Sequence, residues 1–249
     1  MPLPIAFHYV FLILLGLTFG SFGNVLIFRL PRGYSITGRS QCMQCGWQIR
    51  PWELIPILSF IVLGGRCRGC RKRISIQYPL VEVATAAIAV FAFWHETFEL
   101  LPTALLSLSL WLLLLIAVID LRERMIPDVL NISFIAFVVL WRIADQSFSW
   151  GGILVGLFII GSQWAFSRGK WMGSGDVLLA VGLGALVGDS FAGLLWILFS
   201  YMIGSVISLV LLLTHLKTTK DVISFAPFLA LGAIAALILE EPIGIFLGL

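Results

Sequence analysis

Apolar residues in this chain fall in long unbroken runs, not in the alternating pattern of a half-buried strand or the one-sided stripe of a surface helix. The runs predict eight helices, at about 5–28, 78–95, 101–119, 127–143, 150–167, 175–190, 191–213 and 222–240. Crossing a hydrocarbon core of ~30 Å takes roughly 20 helical residues, and these runs approach that length. The sixth is short and rich in glycine, and it joins the seventh at a tight turn, Gly188-Asp189-Ser190. The tail from Pro242 to Leu249 is apolar but too short to cross. One interruption, residues 29–77, is long and polar enough to be a small domain. The pattern therefore predicts an all-α polytopic membrane protein with about eight transmembrane helices. Its parts are a first helix (1–28), an inserted domain (29–77) and a membrane core of about seven helices (78–249).

Composition agrees: 60% of the 249 residues are hydrophobic and only 12% charged, with a mean hydropathy of +1.04. A soluble domain of this length needs more polar surface. The first run has no basic residue ahead of it and is too long for a signal-peptide core, so it reads as retained. Charge then sets the orientation. Nine of the 16 Lys and Arg lie in 29–77, and eight spans put Arg122, Arg124, Arg168, Lys170, Lys217 and Lys220 on the same side. Only Arg142 falls opposite. Positive residues in short loops stay in the cytoplasm, so both termini are predicted on the outer side. The same distribution accounts for the basic pI, and no nucleic-acid partner is implied.

All four cysteines lie in the polar insertion, as Cys42-x2-Cys45 and Cys67-x2-Cys70 separated by 21 residues. Two such knuckles can offer four thiolates to tetrahedral zinc, closing a loop too small for a core of its own. A cytosolic site disfavours disulfides, and Arg66, Arg68 and Arg71 favour thiolates. Redox pairs or unliganded thiols are the alternatives. With four sulfur ligands a zinc ion has no open position for water, so a structural metal is expected.

Asp120 and Asp176 stand at the ends of apolar runs, where a carboxylate is costly and usually functional. Asp120 could simply end its helix in water. Asp176 follows Gly173-Ser174-Gly175, a backbone with little steric cover that an extended peptide could approach. Two neighbouring carboxyls cannot both ionise easily, so they can share a proton and activate water as acid and base. Asp128 reads as a helix N-terminal charge and Asp189 as a turn residue. No HExxH or phosphate-loop motif is present, and His8, His95 and His215 lie near run ends. Gly182-x-Gly184-x3-Gly188 reads as helix packing rather than a dinucleotide fingerprint.

These strings together resemble the type IV prepilin leader peptidases (peptidase family A24) over nearly the whole chain. The resemblance rests on Gly20-Ser21-Phe22-Gly23-Asn24 with Arg29-Leu30-Pro31, both cysteine pairs, Ile55-Pro56-x2-Ser59 and Tyr78-Pro79-Leu80-Val81-Glu82. It continues through Ile119-Asp120-Leu121, Ile126-Pro127-Asp128, Met172-Gly173-Ser174-Gly175-Asp176-Val177 and Phe225-Ala226-Pro227-Phe228. It implies a GxGD-type aspartic protease of the bacterial inner membrane with Asp120 and Asp176 catalytic. It also implies prepilin or pseudopilin substrates whose short basic leader is cut after its glycine at the cytoplasmic face, exposing a new N-terminal residue that is usually Phe. Members with the cysteine loop typically methylate the new N-terminal amine with S-adenosylmethionine; no residue here is assigned to that donor. Three positions depart from the family: Leu178 replaces a frequent Lys, Ala226 replaces Gly, and Gly23 replaces a larger apolar residue.

Glu53 and Glu82 are expected to pair with nearby arginines, the alternative being contact with substrate or methyl donor. Two rival functions are a peptidase whose zinc domain is only a scaffold and a proton-coupled transporter. The transporter would show repeat symmetry and carboxylates nearer mid-membrane. A non-catalytic assembly factor is a third, disfavoured by both aspartates standing in their motifs.

Overall fold

The computed structural model describes residues 5–97, 99–218 and 221–247, which form two compact units, Met1–Ser107 and Leu108–Leu249. Among the described residues there is no β-strand beyond two isolated bridges. All eight expected helices form. Long apolar α-helices satisfy every interior backbone group within the segment, as lipid requires.

In the first unit, α1 (Ile5–Arg29) packs against α3 (Gln77–His95). Between them lies the cysteine region with a short α-helix, α2 (Leu58–Val62), and two 3-10 turns, Leu30–Arg32 and Pro51–Leu54. The α1–α3 contact is backbone to backbone. A Cβ on Gly16 would lie 2.6 Å from Ala86 Cα, and one on Gly20 would lie 2.5 Å from Glu82 Cα. Such close approach of small residues is what holds helices together where lipid competes for apolar contact. Buried Asn24 adds a polar tie, its Nδ2 donating to the Tyr78 carbonyl at 3.1 Å. Gly20→Ala should therefore cost about 1–3 kcal/mol, because the atom it meets is main chain and cannot rotate away. Thermal melting in detergent checks this; Phe11→Ala, at an exposed site, should leave the midpoint unchanged.

The second unit holds most of α4 (Leu100–Glu123) and all of α5 (Asp128–Ala144), α6 (Gly151–Ser167), α7 (Ser174–Val187), α8 (Ser190–Leu213) and α9 (Ala226–Leu247). Among the described residues, four helices have the length and composition to cross a membrane: α1, α3, α4 and α8. The short helix α7 is the packing centre of the second unit. Gly182 lies under the ring of Phe134, and Gly184 meets the backbone of Gly152, so the glycine series does serve helix packing. α6 contains a π-helical stretch, Leu157–Gly161.

Four boundaries differ from the hydropathy pattern by three residues or more, the first being α4, which runs on to Glu123 and so carries Asp120 inside the helix. α7 stops at Val187 because Gly188 turns to φ +93°. α9 starts at Ala226, not 222, and continues through Pro242 to Leu247, so most of the expected tail is helical. Asp189 is an N-cap rather than a plain turn residue, its Oδ1 accepting from the Ala192 N–H at 2.8 Å. Arg142, the lone basic residue expected on the outer side, donates to the Ala185 and Leu186 carbonyls at the end of α7 and to Ser147. Lys220 lies outside the described residues.

Candidate active site and candidate metal centre

Asp120 is buried near the end of α4. Its Oδ2 accepts the Ala226 N–H at 3.0 Å, and the Phe225 N–H also donates to this carboxyl. These amides open α9, where the first N–H groups have no partner inside the helix. A carboxylate from another helix thus caps α9 and meets the positive end of its dipole.

Asp176, the third residue of α7, reaches back to its own helix start and accepts the Gly173 N–H at 3.0 Å. The two carboxyls lie near enough for the charge of Asp120 to act on Asp176. Each has an oxygen engaged by a helix N-terminus. The flanking glycines are not equivalent. Gly173 is exposed, whereas a Cβ on Gly175 would lie 3.2 Å from the Ile126 Cβ, so Gly175 makes room for packing.

Sequence reasoning did not single out Asn131. It is fully buried on α5, and its Nδ2 donates to the Gly175 carbonyl at 3.0 Å, fixing the turn that carries Asp176. Its position one helical turn after Asp128 was the available signal. Tyr201 was missed too: its hydroxyl donates to Gln163 at 2.8 Å and its ring contacts Phe225, next to the amide that holds Asp120.

In the first unit the four cysteine sulfurs lie within 4.8 Å of one another, with Cys42–Cys70 at 3.9 Å and Cys45–Cys67 at 4.0 Å. Tetrahedral zinc with Zn–S of about 2.3 Å spaces sulfurs at roughly 3.8 Å, while a disulfide needs about 2.05 Å. The four thiols therefore fit a metal. Each knuckle repeats one hydrogen-bond scheme: the Cys42 N–H donates to Trp47 and the Gly46 N–H back to Cys42, as Cys67 does with Lys72 and Arg71 with Cys67. The matching left-handed positions are Gly46 (φ +69°) and Arg71 (φ +60°). Burial pulls the Cys42 thiol up, but the amides of Gln44 and Cys45 outweigh it and hold it at about 7.

Glu53 meets the arginine expectation, with Arg68 Nη1 at 3.3 Å from Oε1. The Arg50 amide and then Arg68 hold its carboxyl below the usual range. Glu82 does not meet it. This buried carboxylate accepts the Ile57 N–H at 2.8 Å and the Ser21 hydroxyl instead.

Residues 14–96 match the bacterial peptidase A24 N-terminal domain, and residues 106–213 match the type IV leader peptidase family. The chain belongs to that family. It is 33% identical to the prepilin leader peptidase/N-methyltransferase of Pseudomonas aeruginosa, covering 96% of this chain and 93% of that protein. The protein of the same name from Bacillus subtilis is 33% identical, over 93% of this chain and 94% of its own length. That from Vibrio cholerae is 34% identical over 78% and 84%. No solved structure is significantly similar. The leader-peptidase match takes in Asp120 and Asp176, whereas Ala226, which binds Asp120, lies beyond it. The N-terminal match takes in all four cysteines and Glu82. Family and apolar helices together make this an inner-membrane protein.

Proposed function

We propose that this protein is an inner-membrane enzyme that removes the leader from prepilins or pseudopilins and then N-methylates the new N-terminus. The observation that carries the reading is the pair of carboxyls, Asp120 and Asp176, each anchored by a helix N-terminus, with Asp176 within reach of the charge of Asp120. Such a pair holds one proton between two groups. The ionised member takes a proton from water as it attacks the scissile carbonyl, and the protonated member donates to the departing amine. No covalent intermediate is needed. Exposed Gly173 leaves the backbone beside the pair open to an extended peptide.

The four cysteines hold a structural zinc ion. S-adenosylmethionine supplies the methyl group when bound; the protein's part is to hold the acceptor amine. Eight helices cross the membrane, with the short ones lying inside the bundle. Residues 29–77 form the cysteine domain, and that domain and both aspartates face the cytoplasm while the termini face the periplasm. The charge distribution supports this orientation.

Purified protein in lipid, given a prepilin peptide and S-adenosylmethionine, should yield a product that lacks the leader and carries one added methyl mass. An intact peptide under conditions where the protein is folded would sink the proposal. Asn131→Ala should lower kcat for cleavage by about tenfold to a hundredfold, since a small displacement of a reacting group is costly. KM should change little. An unchanged kcat would show that Gly175 needs no such tether.

A further inference from the structure

Glu82 sits on α3, a helix long and apolar enough to cross a membrane, and its exposure is 7%. Its partners are neutral: the Ile57 amide and the Ser21 hydroxyl. Among the described residues no Lys, Arg or His forms an ion pair with it. A carboxylate withdrawn from water with only neutral donors leaves a large desolvation cost uncovered, and buried charges are ordinarily paired.

The donor facing it is unusual. Ile57 has φ +60° and ψ −51°, and the Leu58 N–H donates to the Pro56 carbonyl across it. That is a γ-turn of the positive-φ kind, which is rare and strained, and more so for a β-branched residue. Strain of this sort, about 1–3 kcal/mol, clusters at ligand clamps and switch regions. The Ile57 amide is thus a neutral donor held at the carboxylate by a backbone that would relax if it let go. A cationic donor arriving at Glu82 could replace it and supply the missing charge.

We propose that Glu82, behind the Pro56–Leu58 turn, is the seat for an alkylammonium group of the peptide substrate. The inference rests on the bifunctional reading above. Two ammonium sources share this chemistry: the N-terminal amine that is to be methylated, and a lysine of the leader. A carboxylate contact at the N-terminal amine would place the acceptor and offer a base for its proton before methyl transfer.

The test is Glu82→Gln in the full chain in lipid, since glutamine is nearly isosteric, keeps one acceptor oxygen for the donors and removes the charge. In one arm, a pre-cleaved peptide with a free N-terminal amine is methylated. In the other, an uncleaved precursor is cut, with its leader lysine present or replaced by norleucine. If the N-terminal amine is the ligand, KM for methylation rises roughly tenfold or more, the loss expected for one charge-assisted hydrogen bond, while cleavage is unchanged. If the leader lysine is the ligand, KM for cleavage rises instead, and the norleucine leader abolishes the difference between variant and wild type. Glu82→Asp, which keeps the charge, should recover part of the effect in either case. Unchanged KM values in both arms overturn the proposal, as does a Gln variant that loses its melting transition, because the charge would then serve the fold. A wild-type protein that neither cuts nor methylates overturns the bifunctional reading instead.

Discussion

Asp120→Asn and Asp176→Asn should each lower leader cleavage by about a thousandfold or more while leaving the protein folded. General acid–base groups are individually worth about 10²–10⁴ in rate, and a pair that shares one proton fails when either member can no longer exchange it. Asparagine retains an oxygen that can accept the Ala226 N–H at position 120 or the Gly173 N–H at position 176. Both helix caps therefore survive, and melting should stay near that of the parent. Cleavage of a prepilin peptide followed by mass analysis reads the effect. A variant that keeps more than a tenth of parental activity would show that its aspartate serves the helix cap and not the chemistry.

The second large effect concerns the cysteine region. Removing metal by chelation, or by Cys67→Ser, should unfold residues 33–76 while α1 and α3 remain packed. Structural zinc sites contribute about 10–16 kcal/mol in small peptides, and this region has little else: Trp52, Leu54, Ile55, Leu58, Ile61 and Val62 are all exposed. Trypsin should then cut at Arg66, Arg68 and Arg71, which lie around the second knuckle, and metal analysis should show about one zinc lost per chain. Protons compete with metal for the thiolates. Release by chelator should therefore quicken as pH falls. Protease resistance that outlasts metal loss would mean the knuckles are held by their hydrogen bonds alone.

The helices were legible in the sequence because each rests on its own apolar run, a local property. What decided the start of α9 was distant. α9 begins at Ala226 where Asp120, more than a hundred residues away in the chain, takes up its first amides. The site was legible as residue types: two aspartates after apolar runs and four cysteines at knuckle spacing. Its supports were not. Asn131 reads as one polar residue in an apolar helix until the Gly175 carbonyl is seen opposite it. Glu82 was expected to find an arginine because the region is crowded with them, yet its partners are the Ile57 amide and the Ser21 hydroxyl. Charge density along a chain does not say which charges a fold brings together.

Arg142 donates to the last carbonyls of α7 and stacks on the ring of Trp141, 4.4 Å from its centre. A helix C-terminus carries roughly half a negative charge, so this guanidinium is about half compensated within the fold. In the proposed orientation it alone breaks the bias that a membrane-insertion machinery reads. An exception in the charge tally is thus a counter-ion to a short helix, its donors already engaged by the carbonyls that helix leaves open.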